Sequence, residues 1–424
     1  MVRYLPSVLV LAGVVQSACS SAAMPQNTTS QLLISGSGYI WSANFDGASV
    51  ILEKNISESG VTPSWLIEGK RSKAFIANDE NSNATYKYTF DVSTTNTSTT
   101  STSHVDLIAA QKYSSGSAGV VHFAYNVNKT RLFGAGYGSQ KIDVWDTTAE
   151  DGSLSILKTI PINDTNSHPH QTVISPTGNI AIVNDLGLDK LHVLDVSDDN
   201  AISIASSVSV PTGCGPRHGA FYWTTGMSVP SRYLVACETS HSLLVFNITQ
   251  SGDLQPEPIQ TDVQTAVDTS GAQLTAAELL LYVNDDRSAD VYVSNRLTGG
   301  ATDSIAHFRL SAPTTAAGTQ PGELVALTAA DMTSSGGVGP RGMSLSASGA
   351  HLFVGNQQAG PAGLVVLTRD AATGDLGASP VASVDYDDFA GGQGAQFGPQ
   401  FVMEWSANGF DTGVVMGAKT AVGR

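Results

Sequence analysis

The chain has 424 residues, a formal net charge of −16 and a pI near 4.8; 14% of its residues are charged, 41% are hydrophobic and 42 are glycine. An acidic surface of this kind is repelled by nucleic acid and by anionic membrane, so neither is expected as a partner. Few charges, abundant Gly, Ser and Thr, and short Val/Ile/Leu/Phe runs point to an all-β protein with enough apolar content for a large core.

In chain order, residues 1–23, MVRYLPSVLVLAGVVQSACSSAA, read as a secretory signal: a cation at Arg3, an apolar run from Leu5 to Val15, then small residues with cleavage between 17 and 23. The apolar run is too short to span a bilayer. Residues 24–424 are expected to form a single extracellular domain. Asn27, Asn55, Asn83, Asn96, Asn128, Asn163 and Asn247 each begin an N-x-S/T triplet, which agrees with export and glycosylation. Of the three cysteines, Cys19 lies in the signal; Cys214 and Cys237 are either disulfide-bonded or buried thiols.

A strand pair, LLISGSGYIWSANF, comes next, followed by one recurring unit: a strand, a turn, a second strand closing on small residues and one polar residue, a loop, a third strand. The copies start at PSWLIEG, VVHFAY, HPHQTVI, PRHGAFYW and PRGMSLS, with a weaker one built from AELLLYV and ADVYVSNR. Trp65, His122, His170 and His218 are 57, 48 and 48 residues apart, and six copies fill residues 60–370. The initial strand pair and the tail around FVMEW would complete a seventh. Units of this size built of three or four antiparallel strands predict a seven-bladed β-propeller, with N- and C-terminal strands sharing the closing blade.

Two columns of the repeat change chemistry while their apolar neighbours do not. At the second strand's exit stand Asp79, Tyr137, Asp185, Glu238, Arg296 and Gln357; at the first strand's start stand Trp65, His122, His170, His218 and Gly342, with Arg217 and Arg341 one residue earlier. In an antiparallel hairpin the start of one strand lies beside the end of the next, so both columns should border the channel at one face. Arg217 and His218 should then meet Glu238. His168 and His170 share a strand face, but no third ligand follows at metal spacing, so no metal is expected. No nucleophile elbow, phosphate loop or dinucleotide fingerprint stands in a fitting context, so no cofactor is expected either.

At SHPHQTVISPTGNIAIVNDLG, GPRHGAFYW, ACETS, VSNR and GPRGMSLSASGAHLFVGNQ the sequence resembles the seven-bladed propeller lactonases: 6-phosphogluconolactonases, fungal carboxy-cis,cis-muconate cyclases and secreted aldonolactonases. The resemblance implies an active site of His170, Arg217, Glu238 and Arg296. The asparagine-tyrosine-glycine motif keeps only Tyr137, and GPRG lacks the histidine often found there.

Export and glycosylation signals favour a secreted enzyme that hydrolyses aldono-1,5-lactones of the glucono- or cellobiono- type. Glu238 or His170 would be the base; Arg217 and Arg296 would hold the oxyanion and product carboxylate; Tyr137, His168, Asp185, His218, Arg341 and Gln357 would bind substrate. A monomer acting on a small sugar lactone is expected. The alternatives are a muconate-type lactonising isomerase and a non-catalytic propeller that binds glycans or a protein.

Overall fold

The computed structural model describes residues 30–57, 60–70, 73–96, 101–224, 227–249, 251–265, 274–312, 326–391, 394–406 and 409–410. Within them the repeats become seven antiparallel sheets, each strand pairing with the next in sequence. Blade 1 is Leu66–Glu68, Ala74–Asn78, Thr85–Asn96 and Ser101–Tyr113; blade 2 is Val120–Tyr125, Arg131–Gly136, Lys141–Asp146 and Ser155–Pro161. Blade 3 is Pro169–Ile174, Ile180–Asp185, Lys190–Asp195 and Ser203–Ser209; blade 4 is Pro216–Tyr222, Arg232–Cys237, Ser242–Ile248 and Leu254–Gln264. Blade 5 is Thr275–Val283, Ala289–Arg296, Ser304–Leu310 and Leu327–Ser334; blade 6 is Val338–Leu345, His351–Gln358, Ala362–Thr368 and Ala382–Asp385.

Blade 7 takes its innermost strand, Pro399–Ser406, from the C-terminal side and its other three, Ser30–Gly36, Tyr39–Phe45 and Val50–Ser57, from the N-terminal side. Leu33 pairs with Met403 and Ile34 with Val402, so the ring is fastened by backbone hydrogen bonds between the two extremities of the fold. A short fifth strand, Gly409–Phe410, pairs with Pro399–Ser406. This is the propeller and the closure that the repeats predict.

Strand alternation explains why blades pack. Leu32 and Ile34 join the core shared with blade 6, while Leu33, between them, joins the core shared with blade 1. Seven such clusters occur, one at each blade-to-blade interface. Inner positions are covered on both sides: every residue of Arg131–Gly136 is buried, whereas the outer Ser155–Pro161 mostly alternates between exposed and covered residues.

The inner strands carry a shared irregularity at their start. Their pairing slips by one residue between Val120 and His122, Pro169 and Gln171, Pro216 and His218, and Pro340 and Gly342, and on the blade 7 side between Pro399 and Phe401. Blade 5 slips between Ala276 and Leu279. Each slip is a β-bulge, which leaves one residue or two unpaired and re-aims a side chain. Proline opens the inner strand of blades 3, 4 and 7 and stands just before the bulge in blades 3, 4, 6 and 7.

Candidate active site

The bulges build the site. Their freed residues, Val121, His170, Arg217, Glu278, Arg341 and Gln400, line one narrow waist of the central channel together with Ser64, which follows Pro63 at the start of blade 1. One residue per blade thus faces the axis. The first-strand column expected from sequence is therefore one residue out of register in several blades: His170 is matched by Arg217 and Arg341, not by His218 and Gly342. Gly342 serves packing instead, since a Cβ there would lie 2.5 Å from the Gln400 carbonyl.

Above the waist, on the face where inner strands begin, Glu238 accepts from both neighbouring cations. Arg217 Nη1 donates to its Oε2 and Arg296 Nη2 to its Oε1, each at 3.0 Å. Across the mouth, Arg341 Nη2 donates to Glu80 Oε2 at 2.5 Å and its Nη1 to Gln400 Oε1 at 3.3 Å. The four predicted catalytic residues, His170, Arg217, Glu238 and Arg296, are brought together. Glu80, Glu278 and Gln400 complete the constellation and were missed.

Blade 4 holds Arg217 from several sides. Cys214 and Cys237 are disulfide-bonded, tying the start of the inner strand to the end of the second, next to Glu238. Asp189, in a turn of blade 3, accepts from the backbone N–H groups of Gly213 and Gly215, both at 2.7 Å. Gly215 adopts φ +61°, with Thr239 Oγ1 2.6 Å from where a Cβ would sit, so only glycine fits that corner. Asn184 donates to the Arg217 carbonyl at 3.1 Å. It belongs to a series of buried asparagines, Asn78, Asn184, Asn295 and Asn356, each donating to a backbone carbonyl of a neighbouring segment.

Electrostatics divides the labour. Burial, then the charges of Arg217 and neighbouring cations, holds the His170 imidazole well below its ordinary 6.5, so it is neutral; its Nδ1 is buried without a partner. Burial, then the like charge of Arg217, pulls Arg296 down to about 9, which leaves it cationic in neutral and acid solution. Burial would raise Glu80, but the Arg341 charge and hydrogen bonds outweigh it and hold that carboxyl below its usual range. Burial raises the Tyr137 phenol. The Nε atoms of Arg217 and Arg296 are also buried without partners, a donor-rich setting for an anion.

Of the expected substrate ligands, Tyr137 packs edge-on against His170 at 5.9 Å between ring centroids. His168 stacks on Tyr137 at 4.5 Å and its Nδ1 lies 3.0 Å from the Tyr137 carbonyl, so it braces that residue. Gln357 is half-buried at the exit of its strand in blade 6. His218 lies deeper, paired with Glu278. Asp185 requires correction as a sugar ligand: it is fully buried and accepts from Ser167 Oγ and the His168 N–H, with His192 Nε2 at 3.0 Å. Asp79 likewise caps a turn, accepting from Thr62, Asn81 and Ser82. Among the described residues no group of three or more His, Cys, Asp or Glu is placed to hold a metal ion, and no helix is long and apolar enough to cross a membrane. Asn55, Asn83, Asn128 and Asn163 are exposed and Asn247 is half-buried. Cys19, Asn27, the expected signal segment and the Asn96 side chain lie outside the described residues.

A closed seven-bladed ring with polar side chains gathered on its inner-strand bulges defines a β-propeller with a charged cluster at one mouth of its channel. The chain belongs to the family described as "Lactonase, 7-bladed beta-propeller", which it matches over residues 27–384. It is 29% identical over 198 residues to a "Probable 6-phosphogluconolactonase" of Arthroderma benhamiae, covering 44% of this chain and about half, 48%, of that one. It is 28% identical over 269 residues to the 6-phosphogluconolactonase of Bacillus subtilis, covering 59% of this chain and 67% of that one. Among solved structures it resembles the periplasmic gluconolactonase of Pseudomonas aeruginosa in fold, with a TM-score of 0.69 at 22% identity, covering 90% of this chain and 100% of that one. A Lactobacillus plantarum protein gives 0.67 at 20% identity, with 89% and 100% covered.

Proposed function

We propose that the protein is a secreted lactonase that hydrolyses aldono-1,5-lactones. The observation that carries this reading is a neutral imidazole, His170, with its Nδ1 unpartnered, beside two guanidinium groups pinned by one carboxylate. Family membership and relatives named for lactone hydrolysis support the substrate class. The export and glycosylation signals favour an extracellular, unphosphorylated lactone over a cytosolic one.

Both oxygens of Glu238 are engaged by arginine, so the base is His170, whose neutral imidazole takes a proton from the attacking water. As oxygen bonds to the carbonyl carbon, Arg217 and Arg296 meet the developing oxyanion and then the product carboxylate. Glu238 aims the two guanidinium groups and balances their charge. Tyr137, Gln357 and Arg341 would meet ring hydroxyls. Every step uses groups of this chain.

The test is acid release from glucono-1,5-lactone in a pH-stat, with the phosphorylated lactone and a carboxymuconate as comparison substrates. His170→Ala should lower kcat/KM by about 10²- to 10⁴-fold. Near-normal turnover by that variant would remove His170 as the base. The three arginines at one mouth would also suit a diacid, and faster turnover of the carboxymuconate would replace hydrolysis by lactonising isomerisation.

A further inference from the structure

The chemistry above leaves several buried titratable side chains near the axis unused, His218 and Glu278 among them. Glu278 occupies the bulge of blade 5, the one charged residue of Thr275–Val283, and its Oε1 lies 2.5 Å from His218 Nδ1. Both residues are buried. That nitrogen therefore carries a proton shared with the carboxylate. The His218 ring packs 5.1 Å from His170 and 6.0 Å from His122, in touch with the proposed base.

Below the waist the channel widens into a cavity of about 390 Å³ towards the opposite face. That is room for several waters, each needing roughly 30 Å³. Two side chains border both the waist and this cavity, Trp65 and Glu278, and only Glu278 can carry a proton.

We propose that His218 and Glu278 form a proton outlet along the ring axis, which carries the proton produced in each turnover away on the face opposite the substrate. The proposal rests on the lactonase reading and deepens it. Hydrolysis adds water across the ring C–O bond: one proton passes through His170 to the ring oxygen as that bond breaks. The other remains on the new carboxyl and leaves when the carboxylate settles between Arg217 and Arg296. His170 receives it, but its surroundings disfavour the imidazolium.

Toward the mouth the proton would have to pass the bound product and the guanidinium groups of Arg217, Arg296 and Arg341. Toward the axis it meets His218. His218 takes the proton at Nε2 while Nδ1 hands its own to Glu278, which releases it to cavity water; a turn of the ring resets the pair. Substrate and proton thus use opposite ends of one channel.

The experiment compares wild type, Glu278→Gln and His218→Gln on glucono-1,5-lactone at low and high buffer, with circular dichroism as the fold control. Both variants should lower kcat by at least ~10-fold with KM within about two-fold. Small buffers that enter the cavity, such as formate or imidazole, should restore much of the loss, and the solvent deuterium effect on kcat should rise. Narrowing the far cavity with Ala124→Trp, which leaves both residues in place, should slow turnover at low buffer in the same rescuable way. An unchanged kcat in these variants, or a joint loss of kcat and KM that no buffer rescues, overturns the outlet. Absence of lactone turnover by the wild type overturns the lactonase reading and the outlet together.

Discussion

At the scale of single residues, the site depends on keeping one imidazole neutral beside cations. Burial and Arg217 both disfavour protonation of His170. A base must be unprotonated to act, so kcat/KM should stay flat as pH falls from neutral through 6.5 and decline only in more acid solution. A pH–rate profile checks this, and an acid limb at or above 6.5 would exclude His170. Much of the quartet was legible in sequence, because Glu238 and Arg296 stand in a column that changes chemistry from repeat to repeat while its apolar neighbours barely vary, with Arg217 beside the other column. Glu278 was not, since its copy reads as an unbroken apolar strand, AELLLYV, with the acid masked as a flank. Gln400 had a signal that went unused: GPQ at 398–400 repeats the GPR of 215–217 and 339–341. The residue directly after proline, as in Pro169–His170 and Pro216–Arg217, marks the channel position, rather than the one after it.

At the scale of the element, the hairpin of inner and second strand is the functional unit, and its two columns have unequal fates. The second-strand column reaches the mouth in blades 4 and 5, through Glu238 and Arg296, whereas in blades 1 and 3 the same position turns inward to hold a loop. Sequence could not separate these outcomes, because a carboxylate that caps a turn and one that meets a ligand look alike until their hydrogen bonds are traced. Asp185→Ala should therefore destabilise the fold by about 3 kcal/mol, by stranding buried donors and His192, and should leave KM nearly unchanged. Thermal unfolding and steady-state kinetics on one preparation separate the two effects. The Cys214–Cys237 bridge closes a loop with a sequence separation of 23. Replacing both cysteines by serine should cost about 3 kcal/mol of stability and raise KM, as the turn bearing Arg217 loosens. An unaltered KM would show that Asp189 and Asn184 suffice to hold that turn.

At the scale of the whole molecule, acid should loosen the ring in two stages. His122 and His170 are held well below 6.5 in the folded state, so below 6.5 the unfolded chain binds protons that the folded one refuses, and stability falls. Glu80 and Asp185 are held below their ordinary 4.5 and 3.8, so their contribution is present above those values and is lost as pH falls beneath them. Thermal midpoints measured from pH 8 to pH 3 should show both declines, and His122→Gln should flatten the first. The propeller itself was readable because six recurring units, and a seventh shared by the two ends, must each bury two faces against neighbours. The fourth strand of each unit was the faint part, since solvent on one side lets Ser, Thr and charged residues blur its alternation.

The seam in blade 7 has a consequence for maturation. Glu80 and Arg341 are 261 positions apart, and their ion pair spans the gap between blades 6 and 1 that Pro399–Ser406 and Ser30–Gly36 fill. A copy whose last sheet has not annealed would lack the far wall of the mouth while retaining Arg217, Glu238 and Arg296 on adjoining blades. Such a half-finished molecule could bind anions yet fail to orient them, so full turnover would report that the circle is complete.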